Sequence, residues 1–267
     1  MSANLARSPF MPEGHTIHRL AARHFELFGG GKVRAASPQG RFDAARLDGA
    51  VLKATEAYGK HLLHHYGSGR TLHVHLGLYG KFSDGRMPFG EAVGQVRLRL
   101  SNRRHWVELR GPTACELLTA AEVDALRDRL GADPLRDDAD PDAAYARIAR
   151  SNTPLAALLL DQSIIAGAGL IFVIESLFRA RRKPTVPGRA LTPEAWQGIW
   201  HDLRTLMELA RKSGTIDTVT DDHLPEAMGR PPRVDRHGGE VYVYRRAGLP
   251  CHACGAPVQR GTQHLLV

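Results

Sequence analysis

Asp161-Gln-Ser-Ile-Ile-Ala-Gly-Ala-Gly169 is the stretch that orders the rest of this chain. It lies between two apolar segments at helical spacing, Pro154–Gln162 and Gly169–Arg181. Two glycines placed two apart close one helix and open the next within a few residues, so the stretch reads as a tight turn between packed helices. The N–H groups of Gly167-Ala-Gly169, at the start of a helix, could hold a phosphate; close helix packing explains the same glycines equally well. Outward from this turn the helical pattern continues over Pro141–Arg150 and Pro193–Arg211. The acidic run Asp133 to Asp142, with Pro134 and Pro141, predicts a linker or surface loop ahead of the helical block.

Further toward the N-terminus the period changes. Val33 and Ala35, Leu62 to His65, Thr71 to Leu76, Val96 to Leu100 and Trp106 to Leu109 alternate between apolar and polar, divided by Gly and Pro turns. That pattern predicts an antiparallel sandwich or barrel. Ahead of it, Ile17, Leu20, Ala21, His24, Phe25 and Phe28 recur at helical spacing over His15–Phe28, opened by Pro12 and closed by Gly29-Gly30-Gly31. Beyond Gly214 a polar loop leads to Glu240–Arg245, Cys251-His-Ala-Cys254 and Gln263–Val267, which resemble the strands of a small finger. The fold class is therefore α+β and multidomain: an antiparallel β-sandwich with a leading helix, a helical domain and an incomplete C-terminal hairpin.

Composition narrows the function. The chain has 267 residues, 43% of them hydrophobic, and 36 Lys and Arg against 28 Asp and Glu, a net charge of +8. Such a balance points to a polyanionic partner, nucleic acid first and a membrane surface second. Glu122–Asp142 carries eight acids against three arginines, whereas Gly229–Val267 carries six arginines against two acids, which places the polyanion at the basic tail. Three cysteines give no disulfide framework and point to a reducing compartment. The longest apolar run, Ser163 to Ile174, is too short to span a bilayer, and the first ten residues hold no apolar core of a signal peptide. A cytoplasmic protein, nucleoid-associated and monomeric, with no membrane contact and no obligate protein partner, is expected.

Several residues could carry chemistry, each with a plainer alternative. Pro12 suits a helix start; were its nitrogen free, the secondary amine could attack an electrophilic carbon, with Glu13 as the nearest proton shuttle. Lys60, in Tyr58-Gly-Lys60-His61, is a phosphate or proton donor or an exposed strand lysine. His73 and His75 share a strand face and could meet His15 and His18 at a metal, or simply follow the alternation. Leu78 and Tyr79, in a glycine-flanked loop, could wedge into a base stack or fill a core. Cys251 and Cys254 form half of a zinc ribbon, and Cys115 reads as packing.

The order of these motifs is distinctive. Met11-Pro-Glu-Gly-His-Thr-Ile-His-Arg19, Gly59-Lys-His61, Leu76-Gly-Leu-Tyr-Gly80, Leu109-Arg-Gly-Pro-Thr113, the Asp161–Gly169 turn and the Cys-x-x-Cys finger resemble, from Met11 to the last residue, the formamidopyrimidine-DNA glycosylase and endonuclease VIII family, in particular its actinobacterial endonuclease VIII-like branch. The resemblance implies a bifunctional DNA glycosylase and abasic-site lyase of base-excision repair, acting on damaged double-stranded DNA and on oxidised bases, pyrimidines foremost, with the lesion turned out of the stack. It implies residues 11–119 as a catalytic β-sandwich domain, 120–236 as a helix–two-turn–helix DNA-binding domain, 237–267 as a truncated zinc-finger hairpin and 1–10 as a leader outside the fold. By position it makes Pro12 the Schiff-base nucleophile, Glu13 its acid–base partner and Lys60 the lysine of β-elimination. Gly77, Leu78 and Tyr79 fall at the void-filling triad, Arg129, Gly167, Gly169 and Leu170 at DNA contacts, and Cys251 and Cys254 at the Zn2+ site.

Three departures shape the expectations. Pro12 follows eleven residues, so a free amine requires translation from Met11 or processing. Leu170 and Phe172 stand where the family has asparagine and tyrosine, a lost phosphate contact of roughly 1–2 kcal/mol. The chain ends where the finger would present its δ-elimination arginine and second cysteine pair, which predicts truncation or a shifted frame and weak zinc binding. The rival readings are a catalytically inactive damaged-DNA-binding relic, with blocked proline and cut finger, and a histidine-ligated metalloenzyme.

Overall fold

The computed structural model describes residues 12–234 and 238–261, which form two compact units divided between Arg129 and Leu130. The leader 1–10, Met11 and the last strand expected at Gln263–Val267 lie outside the described residues.

The first unit opens with α1 (Gly14–Phe28), followed by β1 (Arg34–Ala36), β2 (Leu52–Tyr58), β3 (His61–Tyr66), β4 (Thr71–His75), β5 (Lys81–Arg86), β6 (Val96–Ser101), β7 (His105–Arg110) and β8 (Ala114–Leu118). Two four-stranded antiparallel sheets result, ordered β1-β6-β7-β5 and β2-β3-β4-β8. Their inward residues, Leu62, Leu72 and Val74 from one sheet and Leu98, Leu100, Val107 and Leu109 from the other, make one core with Ile17, Ala21 and Phe28 of α1. The helix is tied to the strands by polar contacts too: Thr55 Oγ1 donates to the Ala21 carbonyl (2.7 Å) and Asn102 Nδ2 to that of Leu27 (2.8 Å). Three strands carry no clear period of two. β5 is an edge strand of mixed exposure, and β2 and β8 bury few large apolar groups, so alternation is a poor guide to them.

Helix α2 (Ala120–Asp128) is not marked by apolar periodicity. Its signal is the Thr119-x-x-Glu122 capping box, in which Thr119 Oγ1 accepts from the Glu122 N–H and Glu122 Oε2 accepts from the Thr119 N–H. Val123 and Leu126 pack against Leu63 of β3. That contact places residues 120–129 with the sandwich, whereas the sequence reading assigned them to the helical region.

The second unit holds α3 (Pro141–Ile148), α4 (Leu155–Leu160), α5 (Leu170–Arg179), α6 (Pro193–Ser213) and the short α7 (Pro225–Met228). Pro193 at the first turn, a Thr192 side-chain cap and Gly214 at φ +85° bound the long α6. Trp196 is buried, stacks on Tyr145 and donates to the Pro141 carbonyl (3.0 Å).

One expectation is narrowed and one corrected. The acidic stretch is a surface loop and not a linker: Asp133 and Pro134 are buried and the preceding Ala132 pairs with Ile165 through a bridge whose N–H bonds run in both directions, while Asp137, Asp138, Asp140 and Asp142 are exposed. Nor is Glu240–Arg245 a strand. The buried Glu175 carboxylate gathers the N–H groups of Tyr242, Val243 and Tyr244, and this segment folds as turns around it.

Candidate active site

The start of α1 sets the first group of residues. Pro12 is buried and Glu13 occupies the N-cap, only 1% exposed, with its carbonyl accepting from the Thr16 N–H. His15, the second residue of α1, is buried, and desolvation together with Arg19 and His18 pushes it down to about 3. It is therefore neutral at any physiological pH.

Lys60 reaches the same place from a different element. Tyr58 pairs with His61, so Gly59-Lys60 forms a two-residue hairpin tip, and Gly59 takes the positive φ (+57°) that the tight turn needs. Burial lowers the Lys60 ammonium below its ordinary range, while the nearby Glu13 carboxylate opposes that shift. The sandwich thus brings an amine from a hairpin tip within electrostatic reach of the carboxylate that follows Pro12 at the helix start.

The loop between β4 and β5 is rigid at its base and exposed at its tip. A Cβ on Gly77, which has φ +63°, would stand 1.8 Å from Thr113 Oγ1, so only glycine fits. The Thr113 N–H donates to the His75 carbonyl and the Gly80 N–H to that of Leu76. Leu78 (60% exposed) and Tyr79 (84%) therefore stand out from a pinned loop, not from a core. Arg129, exposed after α2, bears electrostatically on His61, His73 and His75.

In the second unit the glycine turn is built as expected, but its amides are not all available. Gly167 has φ +89° and its N–H donates to Gln162 Oε1 (2.9 Å), while Gln162 Nε2 donates to the Leu160 and Ala168 carbonyls. Gly169 caps α5 without a side-chain partner, and half-buried Leu170, the first helical residue, offers no polar group.

Comparison with known proteins fits this arrangement. Residues 11–113 match the model of the formamidopyrimidine-DNA glycosylase N-terminal domain, and residues 130–221 that of the formamidopyrimidine-DNA glycosylase H2TH domain. The chain belongs to this glycosylase family. It is 45% identical over 260 residues to Endonuclease 8 1 of Mycobacterium tuberculosis (strain H37Rv), covering 93% of this chain and 94% of that one. It is 33% identical over 222 residues to formamidopyrimidine-DNA glycosylase of Thermus thermophilus, covering 82% and 80%. The crystal structure of the MutM (Fpg) protein of the same organism superposes with a TM-score of 0.72 at 29% identity, over 95% of both chains. Lactococcus lactis Fpg in complex with abasic-site DNA shares the fold, with a TM-score of 0.74 at 20% identity over 94% and 95%.

The family's zinc can be tested against the finger of this glycosylase. Residues 248–258 form a narrow loop in which Gly248 donates to Val258, Val258 to Leu249 and Cys251 to Ala256, with Cys251-His-Ala-Cys254 at its turn. Cys251 is buried and Cys254 exposed. His252 turns toward Arg246 (3.4 Å). Among the described residues no group of three or more His, Cys, Asp or Glu could hold a metal. Two thiols are half of a tetrahedral zinc site, so the residues described do not fit the ion. His73 is likewise committed on both ring nitrogens, to His61 and Glu116, which takes it out of any histidine metal set.

Sequence reasoning missed Glu175 and Glu116. Glu175 sits within an apolar helix, LIFVIESLFR, where a lone acid among large hydrophobes is the one available signal of a buried polar anchor.

Proposed function

We propose that this member of the DNA glycosylase family excises oxidised bases, pyrimidines foremost, from damaged double-stranded DNA and nicks the strand by β-elimination. The observation that carries the reading is the buried Glu13 next to Pro12 at the start of α1, with the partly desolvated Lys60 within its electrostatic reach. The pyrimidine preference is supported by the higher identity to the relative named Endonuclease 8 1 than to the one named formamidopyrimidine-DNA glycosylase.

In this reading the Pro12 nitrogen attacks C1′ and the base departs with the glycosidic bonding pair. Glu13 shuttles the protons of that exchange, its carboxylate held close to the amine by the helix start. The resulting iminium acidifies the C2′ proton. Lys60 removes it, the C3′–O bond breaks and the phosphate leaves with the electron pair. A depressed ammonium pKa suits Lys60 to that task, because more of it is the free amine near neutrality. Leu78 and Tyr79 fill the space the extruded nucleotide leaves, and Arg129, Gly169 and Leu170 lie along the phosphates. The nitrogen must be a free secondary amine, so the reading requires a chain that begins at Pro12 in its working form.

The test is borohydride trapping on an abasic duplex, with the intact mass of the native protein measured alongside. The expected result is a covalent adduct at Pro12, loss of trapping in Pro12→Gly, and a chain whose mass starts at Pro12. A protein that retains residues 1–11 and still nicks DNA sinks the proline mechanism; tight binding without an adduct marks an inactive DNA-binding protein. Duplexes carrying an oxidised pyrimidine and an oxidised purine, compared by kcat/KM, decide the lesion class.

A further inference from the structure

At the far end of α1 from Pro12, the first unit holds a groove of about 1100 Å³ that the chemistry above does not use. Its rim begins at Glu26 and Leu27, and the helix rises about 20 Å between Glu13 and that point. Strand register builds its floor. Arg34 lies opposite Ser101 and Ala36 opposite Arg99, so alternation turns these four away from the sandwich core, where Ala35 and Leu100 point. Beyond β5 the chain runs into Met87 and Phe89, which line the same groove and are each 37% exposed. Phe89 is held by Arg99, whose guanidinium carbon lies 4.2 Å from the ring centroid. Ala36, Met87 and Phe89 thus leave an apolar floor open to water on a sheet face.

The charge around that floor is of one sign. Lys32, Arg34, Arg103 and Arg104 line the groove, all four are exposed, and none makes an ion pair among the described residues. The acids of the groove are already engaged. Glu26 pairs with Arg23 (2.9 Å), and Asp48 accepts from the Ala35 N–H (3.0 Å). Arg99, for its part, is matched by the buried Glu108. The arginine pair sits on a rigid turn. Asn102 Oδ1 accepts from the Arg104 and His105 N–H groups (2.8 Å each), and Asn102 Nδ2 donates to the Leu27 carbonyl (2.8 Å). The backbone that carries these cations is therefore ordered before any ligand arrives, which lowers the entropy lost on binding.

We propose that this groove docks an extended acidic segment of a partner protein, one whose carboxylates are interrupted by apolar side chains. The carboxylates meet Lys32, Arg34, Arg103 and Arg104, and the apolar side chains cover Ala36, Met87 and Phe89. The pairing of these two surfaces favours a peptide over nucleic acid. A duplex presents a continuous row of phosphates and has no apolar group to lay on such a floor, whereas a peptide carries both along its length. Position agrees, because a duplex engaged at Pro12 sits at the other end of α1. The inference uses no residue of the proline site and stands or falls without it.

The test is fluorescence anisotropy of a labelled peptide of about ten residues, aspartates around a central leucine and phenylalanine, titrated with the full chain. Two control peptides replace the apolar pair by serines or the aspartates by lysines. Expected is saturable binding of the first peptide, with at least about tenfold weaker binding of either control and of the double variant Arg103→Glu, Arg104→Glu. Both arginines are exposed on a turn that Asn102 holds, so the variant keeps its fold. Its affinity for a non-cleavable abasic duplex at about 150 mM salt is expected within about twofold of wild type, because charges well beyond a Debye length are screened. The same duplex at saturation is expected to leave the peptide bound. Equal binding of the serine control marks bare charge attraction and overturns the inference. Displacement of the peptide by the duplex also overturns it, marking DNA as the occupant, and so does a first peptide that fails to bind wild type.

Discussion

Glu175 shows how much a single side chain can organise. It is wholly buried, and its two oxygens accept from Thr218 Oγ1 (2.7 Å) and from the N–H groups of Tyr242 (2.7 Å), Val243 (2.8 Å) and Tyr244 (2.7 Å). Four donors around one carboxylate replace its lost hydration, and the three backbone groups would otherwise be stranded in the interior. Glu175→Ala removes the acceptor and leaves those groups unmet, a loss of about 3–5 kcal/mol by analogy with breaking a buried charge network. Urea unfolding checks it, and a midpoint within experimental scatter of wild type refutes it. Gly77 is a second point of this kind. Gly77→Ala drives a Cβ into Thr113 at positive φ, so the Leu78–Tyr79 tip must shift. Base release from duplex DNA is expected to fall more than tenfold while the protein stays folded, read by excision kinetics beside circular dichroism. At the reacting centre itself, Lys60→Ala is expected to slow nicking more than it weakens binding, and equal nicking by the two proteins removes Lys60 from the mechanism.

Between elements, the joint of α1 and β3 is a pair of buried histidines. His24 Nδ1 and His64 Nε2 are 3.0 Å apart, and the His24 ring meets Phe82 edge-on. Desolvation pushes His24 down to about 4 and His64 well below its ordinary value. Both stay neutral in the folded protein while the unfolded chain binds protons below about pH 6.5. The unfolded state then holds more protons than the native one, so stability is full above that pH and declines as pH falls toward 4. Each histidine contributes a slope of up to about 1.4 kcal/mol per pH unit. His64→Gln is expected to flatten the fall in urea midpoint between neutral and mildly acidic pH; an unchanged slope shows that the pair does not govern acid sensitivity. The same scale explains what alternation and periodicity captured. α1, β3, β4, β6 and β7 each bury one face in a common core, so their patterns are legible. β5 lies at an edge and α2 covers a small outer patch, so neither has a full apolar face to display.

For the molecule as a whole, charge is the property that the composition alone fixes. The net of +8 supports binding to a phosphate backbone with counterion release. The affinity for an abasic duplex is expected to drop by at least tenfold between about 50 mM and about 200 mM salt. Affinity independent of salt, measured by fluorescence anisotropy, removes the electrostatic account of the interface. No helix of the described residues is long and apolar enough to cross a membrane.

The sequence by itself determined the sandwich-then-helices order, the helix start at Pro12-Glu13, the glycine turn at 167–169 and the family, because these rest on local spacing and on residue types that few other arrangements would select. Tertiary structure alone decided that Glu13 comes within electrostatic reach of Lys60, that Gln162 occupies the Gly167 amide, that Glu175 bends 242–244 into turns, and that His61, His73 and Glu116 share one chain of hydrogen bonds. Each of these depends on strand register and on burial. Both are set by how distant segments pack, and a reading of neighbours along the chain has no access to them.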